Sequence, residues 1–257
     1  MKWWTILLTL MGSIAHSSTT LGQIKAVIFD CDGTLVDSEH AHFISWQSAL
    51  QNFGGELSLE EYYGYIGKPA PIIAEILASK ISKDCAQEIL KGKKTHYSAL
   101  IRKGHPPIQH TIDFLHRLAN EKDRLELKLG LASAASKEGI LLNLKTHGIE
   151  HLFDVILSGQ DDLSDYADAE GVNKPKPYIY LHAAKLLNLD PEECVVIEDS
   201  HSGVTAGKSA GCITIAVPND YTQYQDLSHA HWVVESFSTL NVQKFLETAK
   251  QLKSKKS

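Results

Sequence analysis

The sequence predicts an α/β fold, a doubly wound parallel sheet with a small all-α unit inserted after its first strand. Three observations lead there. Short apolar runs without polar alternation recur between stretches of helical periodicity, as strands buried on both faces do. The interval from Asp30 to Leu127 spans 97 positions, where a crossover unit needs only about 30. Acidic, hydroxyl and lysine residues gather just beyond the ends of the runs, where such sheets bind ligands.

The first strand, Lys25 to Phe29, delivers Asp30 and Asp32 into a turn at Gly33. The inserted unit, roughly Glu39 to Lys103, reads as helix throughout. Phe43, Trp46, Leu50 and Phe53 form one apolar stripe, and Ile72, Ile73, Ile76 and Leu77 another. Ser58-Leu59-Glu60-Glu61 fits a capping box, and Ser82 is expected to cap a helix over Cys85 to Ile101. Leu35 to Ser38 and His105 to Ile108, with Pro106-Pro107, are the expected hinges. Helix Thr111 to Asn120 leads to a strand at Leu127 to Ala132. Ser136 is an N-cap for a helix that Gly148 ends. Strand Val155 to Ser158 precedes an acidic loop, Asp161 to Glu170, which does not fit a calcium loop and reads as solvated. Helix Tyr178 to Leu187, strand Cys194 to Ile197, helix Ser202 to Ala210 stopped by Gly211, and strand Ile213 to Val217 follow. Trp232 to Val234 is a sheet edge. The expected division is an N-terminal extension over 1–23, a core formed by 24–37 and 106–250, a helical insertion over 38–105, and a basic tail over 251–257.

Composition narrows the partners. At 43% hydrophobic and 22% charged the chain is an ordinary globular protein, and a net charge of -6 disfavours nucleic acid. Cys31, Cys85, Cys194 and Cys212 form no CxxC pair, so no zinc site is expected. They read as buried free thiols in a reducing compartment, which points to the cytoplasm. The N-terminus offers an alternative. Trp3 to Ala15 is apolar and ends in Ser13-Ile14-Ala15, the pattern of an export signal, too short for a stable membrane span. A start at Met11 would remove that signal, so both readings stand. A monomer is expected.

The chemistry begins with Asp30 and Asp32. Like charges two residues apart repel, and the usual remedy is a divalent cation or a shared proton. Strand ends one, two and four are neighbours in such a sheet, so Asp30, Asp32, Ser133, Lys174, Glu198 and Asp199 should share one pocket. A phosphorylated substrate could enter that acidic pocket only with a cation, and Mg2+ takes carboxylate and phosphate oxygens together. Asp30 and Asp199 are then direct ligands, with Glu198 direct or through water. Lys174 would neutralise the phosphoryl group, Ser133 would donate to one of its oxygens, and Asp32 would handle protons. Ser136 competes with Ser133, and Lys176 with Lys174. His40 and His42 read as helix packing, with His42 available to the hinge or to proton handling. Lys68, in Gly67-Lys68-Pro69, would either meet a substrate anion or lie in a helix-helix turn.

Taken in order, DxDGT at Asp30, the strand-end Ser133, Lys174 in KPxP and the Glu198-Asp199 pair resemble the haloacid dehalogenase superfamily over Ile24 to about Phe245. The resemblance implies a Rossmann-like core, Asp30 as nucleophile, Asp32 as general acid/base and the backbone carbonyl of Asp32 as a further Mg2+ ligand. Gly33, Thr34 and Ala134 join Ser133, Lys174 and Lys68 as the implied substrate-binding set. A helical cap after the first motif is similar to that of β-phosphoglucomutase and small phosphatases. The implied activity is Mg2+-dependent hydrolysis of a small phosphorylated metabolite, a sugar phosphate, through an aspartyl-phosphate. A phosphoglucomutase-type transferase is the alternative. Those mutases place an arginine in the cap loop, and Gly64 to Glu75 has none. Dehalogenase and phosphonatase chemistry are disfavoured because Asp32 is present. A non-catalytic binding protein would lack one of these residues, and none is missing.

Overall fold

The computed structural model describes residues 23–254. Six parallel strands form one sheet in the order β3-β2-β1-β4-β5-β6. They are β1 Ala26–Phe29, β2 Lys128–Ser133, β3 Val155–Ser158, β4 Cys194–Glu198, β5 Ile213–Ala216 and the short edge strand β6 Trp232–Val233. Alternate side chains divide between two faces, as the pleat requires. Val27 and Phe29 join the core under α5 (Gln109–Leu125) and α9 (Val242–Ser254), while Ala26 and Ile28 join that under α7 (Tyr178–Leu186) and α8 (His201–Ser209). On the first face Phe114 stacks on Phe237 at 4.5 Å, with Phe245 edge-on at 4.9 Å. α6 (Lys137–Thr146) is capped by Ser136, whose Oγ accepts the Gly139 N–H.

The cap lies between β1 and β2. It contains α1 (Glu39–Gln51), α2 (Leu59–Tyr63), α3 (Ala70–Lys80) and α4 (Ala86–Leu100). Its own core holds Trp46, Leu50, Leu77 and Ile89, each 2% exposed or less, with Phe43 and Tyr62 beside them. Burying a side chain of this size contributes about 1.5–3 kcal/mol, enough to make the cap a body with its own core. The linkers pair with one another: Asp37 N–H donates to Pro106 O at 2.9 Å and Ile108 N–H to Leu35 O at 2.8 Å.

Several expectations need correction. Ser82 does not cap α4. It sits in a left-handed turn at φ +56°, and Cys85 precedes the helix. The second apolar stripe is narrower than expected. Ile73 and Leu77, one turn apart, are buried with Ala74 and Ala78, whereas Ile72 is 43% exposed. Adjacent residues differ by about 100° around a helix, so 72 and 73 cannot share one narrow face. Only half of the capping box forms. Ser58 Oγ accepts the Glu61 N–H at 3.1 Å, but the Glu61 carboxylate takes Tyr65 Oη and Lys80 instead. All four cysteines are buried. No helix among the described residues is long and apolar enough to cross a membrane. The N-terminal signal pattern lies outside the described residues.

Candidate active site

The carboxyl ends of β2, β1 and β4 lie side by side, with Phe29 in register with Leu131 on one flank and Ile197 on the other. That register brings Asp30, Ser133 and Glu198 together from positions far apart in the chain. Gly33 turns at φ +83°, and a Cβ there would lie 2.2 Å from Asp199 Oδ2. Only glycine lets the turn close over that carboxylate.

Lys174 is the central cation. Its Nζ donates to Asp30 Oδ1 at 2.5 Å, to Glu198 Oε1 at 2.7 Å and to Ala132 O at 3.2 Å. Its rival Lys176 pairs with Glu170 and Asp168 in the outer loop. Glu198 is saturated. Tyr180 Oη donates to Oε1 at 2.7 Å, and Oε2 accepts the N–H groups of Asp199 and Ser200 and the Ser200 hydroxyl. Burial opposes its ionisation, but Lys174, Tyr180 and Ser200 together hold it below the usual carboxylate range. Burial likewise opposes the charge on Lys174, and Asp30 and Glu198 outweigh it, raising the ammonium well above its ordinary value.

Asp30 and Asp199 behave differently. Burial, reinforced by neighbouring carboxylates, raises both above the usual range, and Asp199 receives only a weak opposing pull from Lys174. Carboxylate oxygens of Asp30, Glu198 and Asp199 lie within 4.8 Å of one another, all buried. One ammonium does not balance them. An oxygen-only, over-acidic donor set of this kind fits a hard divalent cation. The Asp32 side chain is not part of that cluster. Its Oδ2 accepts the Ser133 hydroxyl at 3.0 Å, and Ser133 in turn accepts the Ala135 N–H. Ser133 thus faces Asp32 in this state, where donation to a phosphoryl oxygen was expected.

Asp32 opens into a cavity of about 580 Å³ between core and cap. Ala134 and Ser136 line it from the core, and Lys68 from the cap loop. The Lys68 ammonium folds back onto Gly64 O, so the turn and the cavity wall are both its place. Thr34 and Gly33 do not line the cavity; they pack against Asp199, with Thr34 Oγ1 3.4 Å from Oδ1. His42 stacks on Tyr97 at 4.3 Å, and its Nδ1 lies 2.7 Å from Lys93 Nζ. Burial, aided by Lys93, pushes the imidazole well below its ordinary value and keeps it neutral. His40 bonds to Tyr221 Oη at 2.9 Å. Neither histidine joins a metal cluster among the described residues.

Sequence reasoning missed several contributors. Glu39, Tyr97, His105, Asn143 and Gln160 also line the cavity, and Lys93 lies buried behind His42. Asn219 donates to Asp199 Oδ2 at 2.9 Å and to Gly33 O at 2.8 Å. Glu39 carried a signal, since it opens the helix directly after a hinge. Asn219 carried none, because it sits in a loop that follows no motif.

Comparison with known proteins agrees with this geometry. The family profile of haloacid dehalogenase-like hydrolases matches residues 27–217. A phosphorylated carbohydrates phosphatase of Thermotoga maritima is 32% identical over 193 residues, 73% of this chain and 82% of that one. A beta-phosphoglucomutase of Bacillus subtilis is 28% identical over 91% of this chain and 99% of its own. A crystal structure of a family hydrolase from Deinococcus radiodurans, with bound phosphate and sodium, superposes with a TM-score of 0.71 at 27% identity, covering 89% of this chain and 98% of that one. The parallel sheet, the inserted helical cap and the matched span together make this chain a member of the haloacid dehalogenase-like hydrolases.

Proposed function

We propose that the chain is a Mg2+-dependent phosphatase of a small phosphorylated carbohydrate, working through an aspartyl-phosphate on Asp30. The observation that carries this reading is the division of the paired aspartates. Asp30 is buried and gripped by Lys174, whereas Asp32 faces the cavity and is oriented by Ser133. An Asp30 oxygen bonds to phosphorus as the bond from phosphorus to the carbohydrate oxygen breaks. That oxygen takes the proton of Asp32. Water then gives a proton back to Asp32 and attacks phosphorus, the acyl-phosphate bond breaks, and Asp30 leaves as carboxylate with free phosphate. Lys174 offsets charge on the phosphoryl oxygens throughout. Mg2+, held by Asp30, Asp199 and the Asp32 carbonyl with Glu198 behind them, would supply electrostatic stabilisation of the transferring group.

The cavity volume of about 580 Å³ suits a small ligand. Its lining is rich in groups that hydrogen-bond hydroxyls, and the similarity to the Thermotoga enzyme supports a carbohydrate. The mutase reading finds less support. Among the described residues no arginine lines the cavity, and Lys68 is engaged with Gly64. The test is a phosphate-release screen over phosphorylated sugars, with and without Mg2+. Release that needs Mg2+ and disappears in Asp30→Asn is expected. Conversion of β-glucose 1-phosphate to glucose 6-phosphate without phosphate release would sink the phosphatase reading.

A further inference from the structure

The loop after β5 touches both halves of the molecule within three residues. Asn219 faces inward. Its Nδ2 donates to Asp199 Oδ2 and to Gly33 O, and its Oδ1 accepts the N–H groups of Tyr221 at 2.8 Å and Thr222 at 3.0 Å. Both ends of the amide are used, and Thr222 Oγ1 closes the loop by accepting the Asn219 N–H at 3.1 Å. Tyr221 faces the other way. It packs against the apolar core of the cap, and its hydroxyl meets His40. Tyr63 of the cap adds edge contact with Tyr221 at 6.3 Å and a closer one with Tyr224 at 4.7 Å.

Asp199 depends on this loop. It has no cation in hydrogen-bond contact among the described residues, and Asn219 is its closest donor, Thr34 being at 3.4 Å. The same Asn219 amide is held by the Tyr221 N–H, so a shift of Tyr221 is passed directly to the donor on Asp199. We propose that Asn219 is a positioning residue for Asp199, and that the Tyr63–Tyr221–Tyr224 contact makes this positioning depend on the cap being seated. The loop from 218 to 224 thereby couples cap closure to cation binding. This rests on the reading that Asp199 helps hold the cation.

Mg2+ binding to the full chain, measured by titration calorimetry without substrate, tests the coupling. Asn219→Ala is expected to weaken binding about tenfold, the lower end of what loss of a ligand's supporting hydrogen bond produces. Tyr63→Ala touches neither Asp199 nor the cavity, yet is expected to weaken Mg2+ binding about threefold, and Tyr63→Phe to restore it. In the double variant the Tyr63 effect should vanish, because its route runs through Asn219. Near-ultraviolet circular dichroism and melting temperature identify any variant that fails to fold, and Tyr63→Ala carries the test if Asn219→Ala does. Unchanged Mg2+ affinity in Tyr63→Ala, or strict additivity in the double variant, would overturn the coupling. Asp199→Asn binding Mg2+ as tightly as wild type would instead overturn the cation reading beneath it.

Discussion

Replacing Gly203 with alanine asks whether the Glu198 carboxylate is pinned. A Cβ at 203 would lie 1.9 Å from Glu198 Cδ, and 1.8 and 2.1 Å from its two oxygens. Carbon contacts become comfortable at about 3.5 Å, so the carboxylate or α8 must yield by about 1.6 Å. The tip of a glutamate usually gives way easily. This one accepts hydrogen bonds from Lys174, Tyr180, Ser200 and two backbone N–H groups. The helix is no freer, since Val204 and Ala206 are fully buried and Ser200 caps it through the Gly203 N–H. Disrupting a buried ion pair costs about 3–5 kcal/mol, and alanine's better helix propensity returns about 1 kcal/mol. The expected net loss is about 2–4 kcal/mol. At about 2–4 °C per kcal/mol for a protein of this size, the melting temperature should fall by roughly 4–16 °C. Phosphate release should fall too, because Lys174 loses one of its two carboxylate partners. Gly92→Ala is the matched control. It sits inside α4, where a Cβ would stand 3.4 Å from the Ala49 methyl, ordinary contact distance. A melting temperature for Gly203→Ala equal to that of the control, with full activity, would refute the claim that Glu198 is fixed.

Three further outcomes are expected. Asp32→Asn should slow release from alkyl phosphates by about 10²–10⁴. With p-nitrophenyl phosphate, whose leaving group needs no proton, it should give one burst of nitrophenolate per enzyme before stalling; steady turnover at the wild-type rate would remove Asp32 from its role. Lys93 is pushed down to about 8 by burial, against the pull of Glu39. Folding therefore opposes its charge, and stability is regained as pH rises above 8 towards the unfolded value of 10.5. Relative to Lys93→Met, denaturant titrations should show wild type gaining about 2 kcal/mol between pH 7 and 9.5; a flat difference would show that Lys93 titrates normally. Mg2+ at 100 times its dissociation constant should stabilise the fold by about 2.7 kcal/mol, and an unmoved melting temperature would show that the folded chain does not hold the cation.

The core was readable from sequence because local chemistry and local geometry coincide there. A buried parallel strand shows as an apolar run, and its carboxyl end is where the next polar residue must stand. Asp30, Ser133 and Glu198 each follow such a run, and neighbouring strands do the rest. Ser136 announced itself as a cap by type and place. The cavity wall was harder. His42 and Lys93 are 51 residues apart and meet only because α1 packs along α4. No spacing rule reveals a pairing created by the packing of two helices. Ile72 failed for a related reason, since four apolar residues in a short helix do not say which of them face the neighbour.

That difference has a chemical consequence. The groups proposed to cut the phosphate ester, Asp30 and Lys174 with Glu198 behind them, are fixed by the sheet and by buried ion pairs, and altering any of them disturbs a core with little slack. The groups proposed to face the rest of the substrate stand on helices joined to the sheet by two paired linkers, an aromatic contact and the His40–Tyr221 hydrogen bond. Glu39, Tyr97 and Lys68 can therefore change without moving Asp30 or Lys174. Under the proposed function, the reaction would be held constant by the architecture that folds the protein, while the choice of carbohydrate would be left to a body that folds around its own core. A substitution confined to the cap wall should accordingly shift KM between sugar phosphates and leave the rate on a small aryl phosphate nearly unchanged.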